Sequence, residues 1–169
     1  TMRSLPIPVI AAVNGPCAGA GFTFALGCDI RIASDAATFG ASFARIGLHP
    51  DWGGSWFLPR LVGSANACEL LFTGTMISAT EAERIGLVNR VVPHDRLMPT
   101  VNDLAAVMAG SAPRVLRLAK ESNYRSLNSD LETAFKRETE VQTECFYSED
   151  FLEGLTAFKE KRRPLFKGR

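Results

Sequence analysis

The run Val9-Ile10-Ala11-Ala12-Val13-Asn14-Gly15 leads into Pro16-Cys17-Ala18-Gly19-Ala20-Gly21 and then Phe22-Thr23-Phe24-Ala25-Leu26-Gly27-Cys28. No other stretch constrains the fold of this chain as much. An apolar, β-branched run ends at a Gly/Pro corner, and small residues then open an apolar helix, which reads as strand, tight turn, helix. Gly19, Ala20 and Gly21 carry almost no side chain, so another molecule can approach their backbone closely. As the first residues of a helix, their N–H groups have no intrahelical acceptor and lie at the positive end of the helix dipole. Two readings follow. The stretch is a site for an anion or a developing oxyanion, or it is a glycine-rich turn that packs a helix on a sheet.

The rest of the chain repeats this alternation as far as residue 92. Asp29–Ala33 and Thr38–Gly40 read as strands, and Phe43–Gly47 as one helical turn stopped by glycine. Pro50 and Gly53-Gly54 force a loop. Trp56–Leu61 reads as a short helix interrupted by Pro59, and Ser64 as the N-cap of a helix over Ala65–Phe72. Ser78-Ala79-Thr80-Glu81 has capping-box spacing and opens a helix that stops at Gly86. Leu87–Val92 is a strand closed by Pro93.

Beyond Pro93 only helical periodicity remains. Leu97, Val101, Leu104, Ala105 and Met108 share one face. Pro113 suits a first helical turn, and Ser129-Asp130-Leu131-Glu132 reads as a second capping box. Leu152, Leu155 and Phe158 mark a last helix. The expected division is an α/β part over 1–92 and a helical part over 93–169.

Several function classes are excluded on composition and motif. Lys and Arg number 19 against 18 Asp and Glu, for a net charge of +1, so no global field draws in nucleic acid or a membrane surface. Basic residues gather only near the C-terminus, at Lys159, Lys161, Arg162, Arg163, Lys167 and Arg169, as a solvated tail or a phosphate contact. No run is apolar enough to span a bilayer. The four cysteines show no CxxC spacing and fit reduced, buried thiols of a cytoplasmic protein. His49 and His94 have no partner at ligand spacing, so no metal site is expected. Gly15, Gly19 and Gly21 do not make a dinucleotide fingerprint, no P-loop lysine follows them, and Gly54-Ser55-Trp56 lacks the second glycine of a nucleophile elbow.

An acidic group able to face the helix start remains to be found. Asp51 is the candidate: it sits in a Gly/Pro loop beside Trp52 and Trp56, surroundings that favour a proton-shuttling carboxyl. The alternatives are a turn cap at Gly53-Gly54 or an ion pair with Arg45 or Arg60.

Taken together, these segments resemble the enoyl-CoA hydratase/isomerase (crotonase) family. The resemblance runs through Pro8–Gly15, Ala18–Gly21, Cys28–Ala33, Phe39-Gly40, Ile46–Leu48, Gly53-Gly54, Leu58–Gly63, Thr73-Gly74, Gly86–Val88 and the ending Ala157-Phe158, Lys161-Arg162. It implies a ββα spiral core followed by a helical trimerisation region, with homotrimers or hexamers. It implies acyl-CoA thioester substrates, with no cofactor beyond their coenzyme A. Two backbone N–H groups would polarise the thioester carbonyl. The second falls on Ala20, flanked by Gly19 and Gly21; the first belongs to a segment upstream of residue 1, so the chain is expected to be N-terminally truncated relative to the family.

The two glutamates of family hydratases fall on Thr23 and Phe43, neither of which is an acid or base. Asp51 falls where isomerase-type members, such as 1,2-epoxyphenylacetyl-CoA isomerases, use an aspartate. The implied function is an acyl-CoA isomerase with Asp51 and the Ala20 N–H as catalytic groups. Gly19, Gly21, Phe22, Thr23, Phe43, Trp52 and Trp56 would surround the substrate. The alternatives are a hydratase in the broad family sense or a non-catalytic member that still oligomerises.

Overall fold

Strands of two to five residues cannot bury enough surface singly, and this chain stacks them. The computed structural model describes residues 2–169. They form two compact units: Val9–Asp103 with Met2 and Arg3, and Leu104–Arg169 with Ser4–Pro8. The boundary between these units lies inside a helix, after Asp103, and Leu97 and Val101 ahead of it are buried.

In the first unit, β1 (Ile10–Val13) and β2 (Pro16–Ala18) belong to different three-stranded sheets. Helix α1 (Gly19–Leu26) follows, then β3 (Ile30–Ser34) and β4 (Thr38–Gly40). β3 pairs parallel to β1, Ile10 opposite Ile30, and β4 pairs parallel to β2, Pro16 opposite Thr38. Each pass of the chain thus lays one strand into each sheet, giving a spiral of strand pairs and helices. A 3-10 turn (Ser42–Ile46) ends at Gly47 with φ 70°, and α2 (Gly54–Thr73) follows. β5 (Ile77–Ser78) closes the second sheet antiparallel to β4. α3 (Ala79–Arg84) leads to β6 (Arg90–Val92), which extends the first sheet beside β3. Val13, Phe22, Leu26, Phe39, Leu58 and Leu87 lie in the core.

Three local readings need correction. Pro16–Ala18, read as part of a turn, is strand β2, held by pairing with β4. α2 runs through Pro59 and breaks instead at Gly63, where φ 76° and ψ 161° leave the helical region. The cap of the sixth helix is Asp130, whose Oδ1 accepts the Thr133 N–H at 2.8 Å, one residue after the expected Ser129. The Ser78 cap is present, its Oγ accepting the Glu81 N–H at 3.2 Å.

In the second unit, α4 (Leu97–Ala109, shared at its start with the first unit) is followed by α5 (Pro113–Ser126), α6 (Leu131–Phe146) and α7 (Glu149–Glu160). Arg114 pairs with Glu144 between α5 and α6, Nε to Oε1 at 2.9 Å. Buried Asp150 accepts the Lys167 and Gly168 N–H groups at 2.7 and 2.8 Å and fixes the C-terminal segment.

Candidate functional site

The N-terminal turn of α1 is open. Its N-cap, Ala18, is extended and its side chain caps nothing. Gly19 holds φ +55°, and a Cβ at Gly19 or Gly21 would meet open space. Ala20 and Gly21 are exposed. The first N–H groups of the helix therefore lie uncapped on an accessible surface, where small residues leave room for a ligand oxygen. The far side of α1 buries Phe22, Thr23, Ala25 and Leu26.

At its other end α1 is clamped by Arg31, a buried cation that the strand reading of Asp29–Ala33 did not single out. Arg31 Nε donates to Leu87 O at 2.8 Å and Nη1 to Cys28 O at 2.7 Å. A guanidinium spread over carbonyls near a helix C-terminus suits the negative end of the dipole.

The loop carrying Asp51 rests on α1. Gly54, the first residue of α2, lies against Thr23: a Cβ there would stand 2.5 Å from Thr23 Cγ2 and 3.3 Å from Pro50 Cβ. Only glycine permits that approach. Thr23 is itself buried, and its Oγ1 donates to Ala20 O at 3.0 Å. Its hydroxyl proton is thus engaged within α1. The Gly54 N–H donates to Asp51 O at 2.8 Å. Between them Trp52 and Gly53 are both left-handed, with φ 47° and 87°.

Asp51 is exposed rather than enclosed by apolar groups. Among the described residues its carboxylate has no hydrogen-bond or ion-pair partner. α2 has no side-chain cap, Arg45 Nε donates to Thr73 O at 3.4 Å, and Arg60 Nη1 donates to Trp56 O at 3.1 Å. Neither structural alternative for Asp51 is realised.

The four aromatic residues expected around a substrate separate. Phe22 and Phe43 are core side chains. Trp56 is engaged by two guanidinium groups, Arg3 at 4.7 Å and Arg60 at 4.0 Å from its ring centroid, and meets Phe57 edge-on. Trp52 is 65% exposed and meets Phe24 of α1 at 6.2 Å. Phe24 was missed because an apolar residue on an apolar helix reads as core.

Other chemistry is closed off locally. Burial, and then the neighbouring Cys28, push the Cys17 thiol up to about 11, so it stays protonated and inert. Ser34 Oγ lies 3.0 Å from His94 Nδ1, but Ser34 is 0% exposed and no substrate reaches it. Among the described residues no three His, Cys, Asp or Glu gather as metal ligands, and no helix is long and apolar enough to cross a membrane.

The family model for enoyl-CoA hydratase/isomerase matches residues 1–169. The chain belongs to this family. A short-chain-enoyl-CoA hydratase of Clostridium acetobutylicum is 46% identical over 162 residues, 96% of this chain and 62% of the relative. A 1,2-epoxyphenylacetyl-CoA isomerase of Escherichia coli is 40% identical over 168 residues, 99% of this chain and 64% of the relative. A crystal structure of an enoyl-CoA hydratase from Bacillus anthracis superposes with a TM-score of 0.97 at 42% identity, covering 99% of this chain and 65% of that one. The chain therefore spans less than two thirds of these relatives, and within that span it has the family's α/β core followed by helices.

Proposed function

We propose that the protein carrying this chain is an acyl-CoA isomerase that works through a thioester enolate. The thioester oxygen would accept the Ala20 N–H at the uncapped start of α1, with Gly19 and Gly21 leaving it room. Charge developing on that oxygen is stabilised by a fixed donor and the helix dipole, which acidifies a neighbouring C–H. The Asp51 carboxylate takes that proton and returns it to another carbon, so a double bond moves or a strained ring opens with no net gain or loss of protons. The observation that carries this reading is the unpaired, exposed Asp51 in a loop seated on α1 by Gly54 against Thr23.

Hydration is a second reading, favoured by the hydratase names of relatives such as that of Clostridium acetobutylicum. Against it, the positions where the family resemblance puts the water-activating glutamates hold Thr23 and Phe43, both buried and neither an acid nor a base. The same reading carries an acyl-CoA thioester as substrate, no cofactor beyond its coenzyme A, trimers or hexamers built through the helical region, and a cytoplasmic location.

Asp51→Asn tests the proposal. It keeps the shape and turn preference of the side chain but cannot take a proton. In the intact protein, isomerase turnover should fall by about a hundred- to ten-thousandfold with an unchanged melting temperature. Wild-type turnover in this variant would return Asp51 to a loop role.

A further inference from the structure

Helix side chains four residues apart share a face, so Ala20 and Phe24 lie along one side of α1, and both are exposed. The loop after Pro50 meets α1 twice. Gly54 lies against Thr23, and the indole of Trp52 stands edge-on to the Phe24 ring, centroids 6.2 Å apart at 62°.

Trp52 keeps φ 47°; among the described residues only Lys161 is another non-glycine with positive φ. Lys161 ends a helix, where that geometry is common. Trp52 does not. A bulky L-residue holds this conformation only where its surroundings impose it, and glycine would adopt it freely. Among the described residues neither ring is packed into the core: Phe24 is 53% and Trp52 65% exposed. The residue before Trp52 is Asp51.

We propose that Phe24 and Trp52 are positioning residues: their edge contact fixes the 51–54 loop, and with it the Asp51 carboxylate, relative to the N-terminal turn of α1. The inference rests on the proton-transfer reading of Asp51 and adds the device that aims it. A small displacement of a catalytic group costs rate without costing ground-state binding. The pair should therefore appear in kcat rather than KM.

The experiment takes the intact protein with Phe24→Ala, Phe24→Tyr and Trp52→Gly, and adds hydrogen exchange of the Gly54 amide, referenced to β3. Phe24→Ala should lower kcat by about ten- to a hundredfold at nearly constant KM, and exchange at Gly54 should quicken by about tenfold. Phe24→Tyr keeps the ring edge and should restore both. Trp52→Gly loses the contact but relieves the backbone, so kcat should fall while the melting temperature holds or rises.

Unchanged Gly54 exchange in Phe24→Ala overturns the proposal whatever the rate does. Faster exchange with unchanged kcat overturns it too, provided Asp51→Asn is impaired in the same assay. If Asp51→Asn is itself silent, the proton-transfer reading has failed instead, and the exchange data still say whether the pair anchors the loop.

Discussion

α1 and α6 treat their side chains in opposite ways. α1 has eight residues and buries four; α6 has sixteen and buries none. α1 is held by tertiary burial and by Arg31 at its C-terminal end, which leaves its N-terminal N–H groups uncovered. α6 is held by local devices, the Asp130 cap and pairs such as Glu132 with Lys136 at 2.9 Å. Its apolar residues Leu131 and Phe135 remain exposed. A groove of about 1160 Å³, lined by Leu118, Ala119, Val141, Cys145 and Phe146 among others, runs between α5 and α6. The first region spends its apolar surface on a core and leaves a helix end uncovered. The second keeps an apolar stripe in hand, and covering such a stripe is what symmetric assembly does.

The contrast breaks most sharply under truncation. Leu58→Ala removes a side chain with 0% exposure from the first core and should cost about 2–5 kcal/mol of stability, read by denaturant unfolding. Leu152→Ala, at an exposed position of α7, should cost about 0.5 kcal/mol or less within a subunit. Its effect belongs to assembly. Light scattering of the parent protein should give a trimer or a multiple of one, and Leu152→Ala should weaken it. A stable monomer at micromolar concentration would remove the helical unit from that role.

The smallest effect is electrostatic and lies in the second unit. Hydrogen bonds from Arg162, and then from the Leu165 N–H, hold the Glu153 carboxyl down at about 2, against an ordinary value of 4.5. A lowered folded-state value stabilises the fold above the ordinary value, and that contribution fades as pH falls from 4.5 toward 2. Glu153 is only half-buried, so solvent screens the pair and the expected effect is slight. The melting-temperature gap between parent and Glu153→Gln should narrow from pH 7 to pH 3, while β1 to β6 keep their exchange protection.

How much of this was legible in the sequence follows from how local each cause is. The start of α1 was readable because small residues after an apolar run determine it within a few positions. So was the Ser78 cap, which needs only Glu81. β2 and β5 were not, because runs of three and two residues become strands only by pairing with β4, far along the chain. Pro59 looked like a breaker but sits in the second turn of α2, and the helix breaks at Gly63 instead.

At the site, Asp51 could be named from its loop, but its exposure and lack of a partner could not. Nor could the burial of Phe22 and Phe43, the two guanidinium groups on Trp56, or the left-handed Trp52. These are properties of how α1, α2 and the loop between β4 and α2 meet. Gly54 is the instructive case: a glycine that reads as loop flexibility is a contact point, placed by what a Cβ would strike.

The central claim is that Asp51 moves a proton on a substrate polarised at the start of α1. It is tested most directly by exchange of substrate protons. The intact protein is incubated with an unsaturated acyl-CoA in D2O, and deuterium entering beside the thioester carbonyl is followed by mass spectrometry. The account predicts rapid incorporation by the parent. It predicts near-background incorporation by Asp51→Asn, at equal melting temperature and substrate affinity. Deuterium entering at the parent rate in Asp51→Asn would contradict it.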